Sequence, residues 1–213
     1  MPIPVAVEAL PTPSLTRALG RVKGLSIVEL AKGIRREYGA DALARMVAAL
    51  PAPFRHGLRA DLENLGILAG TWYPIEILNS LYDQLAADLS AAEQHRLAQT
   101  IGKEYVDRLL RGIYRFIFES LMTPERYVAH AQRLWDQGCD TGKLELTQVS
   151  PQRVDGRILD WPGHHPLGCE VAHHIGVHIY LAMGCRGVKS RYQCKAQSGA
   201  DACTGSYFWS GRR

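Results

Sequence analysis

Four of the five cysteines in this chain fall between Cys169 and Cys203, and five of its eight histidines fall between Gly163 and His178. Thiolate and imidazole bind borderline-soft divalent metals, and a structural zinc site needs four such ligands in a tetrahedron. Cys194 and Cys203 have eight residues between them across a predicted hairpin turn, near enough to share one ion. Cys169, at a predicted helix start, can supply a third thiolate, because a helix N-terminus favours the anion. The candidates for a fourth ligand are Cys185, His165 and His173. The competing reading is that these thiols are small buried hydrophobes. His174 and His178 are four apart on one helix face, and such a pair can bind a metal or line an apolar pocket. A neutral imidazole there hydrogen-bonds a phenol-like or carboxyl ligand.

Other chemistries lack their residues. There is no His-Glu-x-x-His pattern for a zinc protease. There is no Gly-x-Gly-x-x-Gly phosphate loop for a self-contained nicotinamide enzyme. No Ser-His-Asp order stands out, and the spacing of Cys169 and His173 is explained equally by helix packing. These absences favour a binding protein over an enzyme. No Gly-x-x-x-x-Gly-Lys loop or convincing helix-turn-helix is present either, so a signal would have to pass to a separate partner protein.

The elements that must hold these residues follow from periodicity. Residues 1–24, with Pro2, Pro4, Pro11 and Pro13, read as an irregular arm. Residues 25–213 read as one α+β domain, helical over 25–138 and hairpin-helix-hairpin over 139–209. Ile27, Leu30, Ala31 and Ile34 recur at helical spacing within Leu25–Tyr38, and Gly39 is a natural stop. Helices are also predicted over Asp41–Leu50, Phe54–Leu68, from Tyr73-Pro74 onward, after the Ser90/Glu93 capping box, over Lys103–Leu121, and from Thr123-Pro124 to Trp135. Alternation over Lys143–Val149 predicts a strand with Arg157–Trp161 as its partner. Cys169–Met183 reads as a helix, and Val188–Gln193 with Gly205–Trp209 as a second hairpin. The expected architecture is α+β, with helices packed on one face of a small antiparallel sheet made of the C-terminal hairpins.

Composition is that of an ordinary globular chain, 213 residues with 46% hydrophobic and 22% charged side chains. Residues 186–213 carry six basic side chains and one acid, too weak an asymmetry to point to nucleic acid. No apolar run reaches eighteen residues, so no membrane span is expected. Met1–Ser14 lacks the basic and apolar regions of a secretory signal, and a cytoplasmic location is expected.

The stretch Cys169-Glu170-Val171-Ala172-His173-His174-Ile175-Gly176, then Met183-Gly184, then Cys194-Lys195-Ala196-Gln197-Ser198-Gly199-Ala200-Asp201-Ala202-Cys203, resembles the tail of the 4-vinyl-reductase, or hydrocarbon-binding, domain. The likeness covers about residues 125–209. The helical part upstream is similar, more weakly, to a myxobacterial paralogous family of unknown function, through its Tyr-Pro helix start. Both belong with a superfamily of ligand-binding domains of nitric-oxide signalling and Golgi transport.

The resemblance implies a buried apolar cavity between helices and sheet, lined by Tyr114, Phe118, Trp135, Trp161, His174 and His178. It also implies structural zinc on the three shared cysteines, with a Glu three residues before the middle one. That position is Arg191 here, which cannot ligate a metal, so Cys185 becomes the candidate to complete Cys169, Cys194 and Cys203. The haem-binding cousins carry a Tyr-x-Ser-x-Arg signature, which Ser190-Arg191-Tyr192 does not reproduce in order, so haem is not expected. The function implied is a sensor or carrier for a small hydrophobic or aromatic, lipid-like or tetrapyrrole-related molecule, forming a homodimer and acting through a signalling or biosynthetic partner. The alternatives are an accessory or catalytic subunit in tetrapyrrole or natural-product reduction, and a dimeric tethering module.

Overall fold

In the computed structural model of the protein, residues 19–111 and 113–212 are described, without the side chains of 113–115 and 117. The chain runs β1 (Arg21–Lys23), α1 (Gly24–Tyr38), α2 (Ala40–Ala49), α3 (Ala52–Arg55), β2 (Trp72–Pro74), α4 (Ile75–Asp88), α5 (Ala91–Leu109), α6 (Ile113–Leu121) and α7 (Pro124–Trp135). It continues through β3 (Lys143–Ser150), β4 (Arg153–Leu159), α8 (Pro166–Ala182), β5 (Cys185–Arg186), β6 (Lys189–Gln193), α9 (Lys195–Ser198), β7 (Cys203–Phe208) and β8 (Gly211–Arg212). The α+β class and the helix-on-antiparallel-sheet arrangement are as expected. No helix among the described residues is long and apolar enough to cross a membrane.

The helical half is built by its apolar stripes. Ile27, Leu30, Ala31 and Ile34 of α1 are fully buried against α2, α4 and α5, and the helix stops where Gly39 turns to φ 87°. Helix α5 starts at the capping box: the Glu93 N–H donates to Ser90 Oγ, and the Ser90 N–H donates to the Glu93 carboxylate at 2.9 Å. Ser90→Ala removes the oxygen that accepts from the Glu93 N–H and is expected to lower stability by about 1 kcal/mol in chemical denaturation.

Three local expectations give way. The continuous helix over Lys103–Leu121 breaks after Leu109, where Leu110 leaves helical geometry at φ −98°, ψ 36°, two residues before Gly112, a poor helix former. The helix over Phe54–Leu68 shrinks to α3, because Gly57 and Gly66 take positive φ. Part of the supposed irregular arm is strand: β1 pairs antiparallel with β2, Val22 opposite Tyr73. Residues 1–18 of that arm lie outside the described residues.

The sheet order is β3-β4-β7-β6, antiparallel throughout. Its register sets Leu146, Gly156, Gly205 and Tyr192 in one row across the four strands. Helix α8 lies between this sheet and α5. A helix covered on both sides is apolar nearly all round, and Leu167, Cys169, Val171, His173, His174, Ile179 and Tyr180 are all buried.

Candidate functional site

Between α8, α5, α7 and the sheet lies an apolar cavity of about 1020 Å³, at the upper end of the roughly 300–1,000 Å³ usual for small-molecule and cofactor sites. Two glycines help make it. Gly156 and Gly205 face each other across β4 and β7, and both line the hollow. A Cβ on Gly156 would stand 2.7 Å from Leu146 Cδ2, and one on Gly205 would stand 3.2 Å from His173 Nδ1. The middle of the sheet therefore carries no side chain where the cavity floor lies.

The face that α8 turns to the cavity is Cys169, Ala172, His173, Ile175, Gly176, Ile179 and Tyr180, which recur turn by turn along the helix. His173 is held tightly there. Its ring is stacked between Tyr192, 4.8 Å away, and Tyr207, 5.1 Å away. Its Nε2 lies 2.9 Å from Ser190 Oγ, and its Nδ1 is buried without a partner. Burial, aided by His174 and His95, pushes its pKa down to about 4, which favours the neutral ring. The Tyr180 hydroxyl, on the same wall, is likewise buried and unpartnered.

The expected lining divides. Phe118 and Trp135 line the cavity, and Trp135 donates its indole N–H to the Thr141 carbonyl at 2.9 Å. Trp161 does not: it is buried in the helical core behind Trp135, edge-on at 5.2 Å. His174 and His178 turn the other way, toward α5, because they sit one position round from the His173 face. His174 packs against Gly102, and His178 has Lys103 and Asp107 beside it. The side chain of Tyr114 lies outside the described residues. Tyr105, Tyr127 and Tyr207 also line the cavity, and α5 and α7 periodicity marks the first two only as core-facing.

The cysteines behave similarly. Cys169, Cys194 and Cys203 converge at one end of the cavity, 3%, 0% and 4% exposed. The fourth member is His164, not Cys185. The four ligand atoms lie within 4.8 Å of one another, with His164 Nε2 3.2 Å from Cys194 Sγ. Cys185 is in β5, paired with β8 and buried in a different part of the core. His165 is occupied in capping α8: its Nδ1 accepts from the Leu167 N–H at 3.1 Å and its Nε2 meets Asp83. Arg191 points its strand position away from the cluster, being exposed on β6. Within the cluster a hydrogen bond from Cys169, then His164, holds the Cys203 pKa well below that of an ordinary thiol. The same bond and burial push Cys169 up, and burial pushes up Cys194.

No protein-family model matches the chain, and no curated protein matches its sequence. Solved structures do match its fold. An Fe(II) unliganded H-NOX protein from K. algicida superposes with a TM-score of 0.62 at 10% identity, over 89% of this chain and 97% of that one. An H-NOX protein from S. oneidensis in the Fe(II)NO state gives 0.61 at 11% identity, over 89% and 99%. A structure from work on haem distortion in the H-NOX family gives 0.63 at 7% identity, over 90% and 96%. The chain thus has the fold of H-NOX domains. The likeness is one of fold, and none of these structures is a 4-vinyl-reductase domain.

It also corrects the expectation about haem. The expectation rests on one short signature out of order, whereas a structure that shares this fold comes from work on haem distortion in the H-NOX family. At 7–11% identity, a missing tripeptide order carries no weight against haem.

Proposed function

We propose that the protein is a ligand-binding sensor whose cavity takes a flat, largely apolar ligand of macrocycle size, haem first among these, and that it acts through a separate partner. The observation that carries this reading is the hollow itself: about 1020 Å³ of apolar space lined on the sheet side by Gly156 and Gly205. A core selected only for stability would be filled to close packing. The lining suits haem in three respects. It is wide and apolar. It presents a buried neutral nitrogen, His173 Nδ1, without a partner. It carries two cations on its wall, Lys23 and Arg157, suited to acidic substituents. His173 would hold the group, and Ser190 would fix that ring through its other nitrogen, as outer partners of metal-bound histidines do. When bound, haem iron supplies a coordination position for a diatomic ligand. Tyr192 and Tyr207, stacked on both faces of His173, keep the ring from turning.

The test is titration of the purified chain with hemin and, separately, with iron-free protoporphyrin. The expected result is a one-to-one hemin complex with a sharp Soret band. His173→Ala should shift that band and weaken binding by more than about tenfold, the scale on which lost metal-site partners act. Binding of neither compound would remove the tetrapyrrole reading. Equal binding of both, indifferent to His173→Ala, would keep the cavity and remove His173 as its metal ligand.

A second observation supports a second site. Three buried cysteines and one imidazole within 4.8 Å of one another form a four-donor set of the kind that closes a structural zinc site. The spacing shared with the 4-vinyl-reductase tail points the same way. His164 takes the place that Arg191 leaves vacant in that pattern. An ion there would join the start of α8 to both strands of the last hairpin, and so fix one end of the cavity.

A further inference from the structure

A separate group of donors lies on the opposite side of α8. Glu170 and His174, four apart on α8, meet His95 of α5, and the three ligand atoms lie within 4.8 Å of one another. His95 Nδ1 is hydrogen-bonded to Glu170 Oε1. The Gln99 amide, one turn further along α5, reaches His95 Nε2 at 2.9 Å. His174 is only 8% exposed, and its Nε2 has no partner. A buried polar atom left unpaired costs free energy, and nothing in the proposed cavity or thiolate cluster uses this one. The approach is made possible by Gly102, whose Cβ would stand 2.7 Å from His174 Cβ.

We propose that His95, Glu170 and His174 form a second metal site, taking a divalent transition ion such as nickel, copper or zinc, independent of the thiolate cluster. Two imidazoles and one carboxylate suit these ions, while magnesium and calcium prefer oxygen donors throughout. The geometry allows loading without rearranging the fold. The ion takes the Nδ1 position of His95, the ring proton moves to Nε2, and Gln99 turns its amide to accept it. Glu170 keeps its oxygen as a ligand, and His174 gains the partner it lacks. The His95 side chain is 49% exposed, so the remaining coordination positions face water and the ion exchanges with solution. Because α5 and α8 both line the cavity, an ion bridging them stiffens that wall and gives the sensor a metal-dependent input.

The test uses the full chain without any histidine tag, titrated with nickel(II) by calorimetry and absorption. The expected result is one nickel per chain with a nitrogen/oxygen ligand-field spectrum, resolved from any nickel that the thiolate cluster takes with a thiolate charge-transfer band. His95→Ala, at a half-exposed position where folding is not at stake, should weaken binding by more than about 100-fold, beyond what loss of an outer partner costs. Gln99→Ala, an outer partner, should weaken it by about tenfold. Nickel bound only with the thiolate band, nitrogen/oxygen-bound nickel unchanged by His95→Ala, or no nickel binding at all would each overturn the proposal. None of these outcomes bears on hemin binding, so the two readings fail separately.

Discussion

Cys194→Ser is expected to abolish retention of about one zinc per chain and to lower stability by more than about 4 kcal/mol, the range in which loss of a metal site falls. Cys194 is fully buried, and its sulfur stands among those of Cys169 and Cys203 beside the His164 imidazole. In the metal-free chain these thiols share protons: Cys203 is favoured as thiolate because Cys169 donates to it, while Cys169 and Cys194 are held as thiols. An ion that takes all three as thiolates must displace the remaining protons, so zinc uptake should release protons near neutral pH. The comparison variants separate the ligands from their neighbours. His164→Ala should lose the ion, and His165→Ala should keep it, since His165 caps α8 instead. Cys185→Ser should keep it as well, because Cys185 lies in β5. Metal analysis with melting curves in the presence and absence of a chelator reads all four. Zinc-free protein whose melting temperature equals that of Cys194→Ser would end the reading.

The contrast between His164 and His165 shows what a sequence can and cannot carry. The thiols were legible because spacing across a turn restricts where two cysteines can lie. Two adjacent histidines in a loop are equivalent until the path of the loop is known, and here the second is drawn off to the helix N-terminus. A similar ambiguity governs α8. Periodicity assigns an inner and an outer face only when one side meets water. This helix is covered by α5 on one side and the sheet on the other, so no polar stripe tells His173 from His174. The cavity is implied by the family resemblance alone, and nothing in the strand residues themselves marks it. Gly156 and Gly205 sit at ordinary strand positions, and only the register places them opposite each other under α8. Where burial was one-sided, as for Ile27, Leu30 and Ile34 of α1, or where local bonds decide, as at Ser90 and Glu93, residue patterns and structure agree. The break after Leu109 lies between these cases. The apolar repeat continues through it, and the backbone does not.

Gly102→Ala is expected to destabilise the protein by about 2–3 kcal/mol, the upper part of the usual cost of overpacking. The sign is informative, because alanine is favoured over glycine in a helix interior by about 1 kcal/mol. An innocuous site would therefore gain stability. At Gly102 the new Cβ would meet His174 Cβ at 2.7 Å, the His174 carbonyl carbon at 2.9 Å and the Ile175 nitrogen at 3.0 Å. Two of these three atoms are backbone of α8, so no rotamer change relieves the contact and the helices must part. Gly33, in α1, is the internal control. Its Cβ would meet only the end of the Ile101 side chain, at 3.3 Å and 3.9 Å, which can shift by a few tenths of an ångström. Gly33→Ala should then be between as stable as the parent and about 1 kcal/mol more stable, the helix preference of alanine being only partly offset by this contact. Parting α5 from α8 also separates His95 from Glu170 and His174, so Gly102→Ala should lose nickel binding along with stability, while Gly33→Ala keeps both. Urea denaturation and nickel titration of the two variants decide the matter. A Gly102→Ala protein as stable as its parent would mean that α5 and α8 do not cross at this distance, and the histidine–glutamate site would then lack the close approach on which it depends.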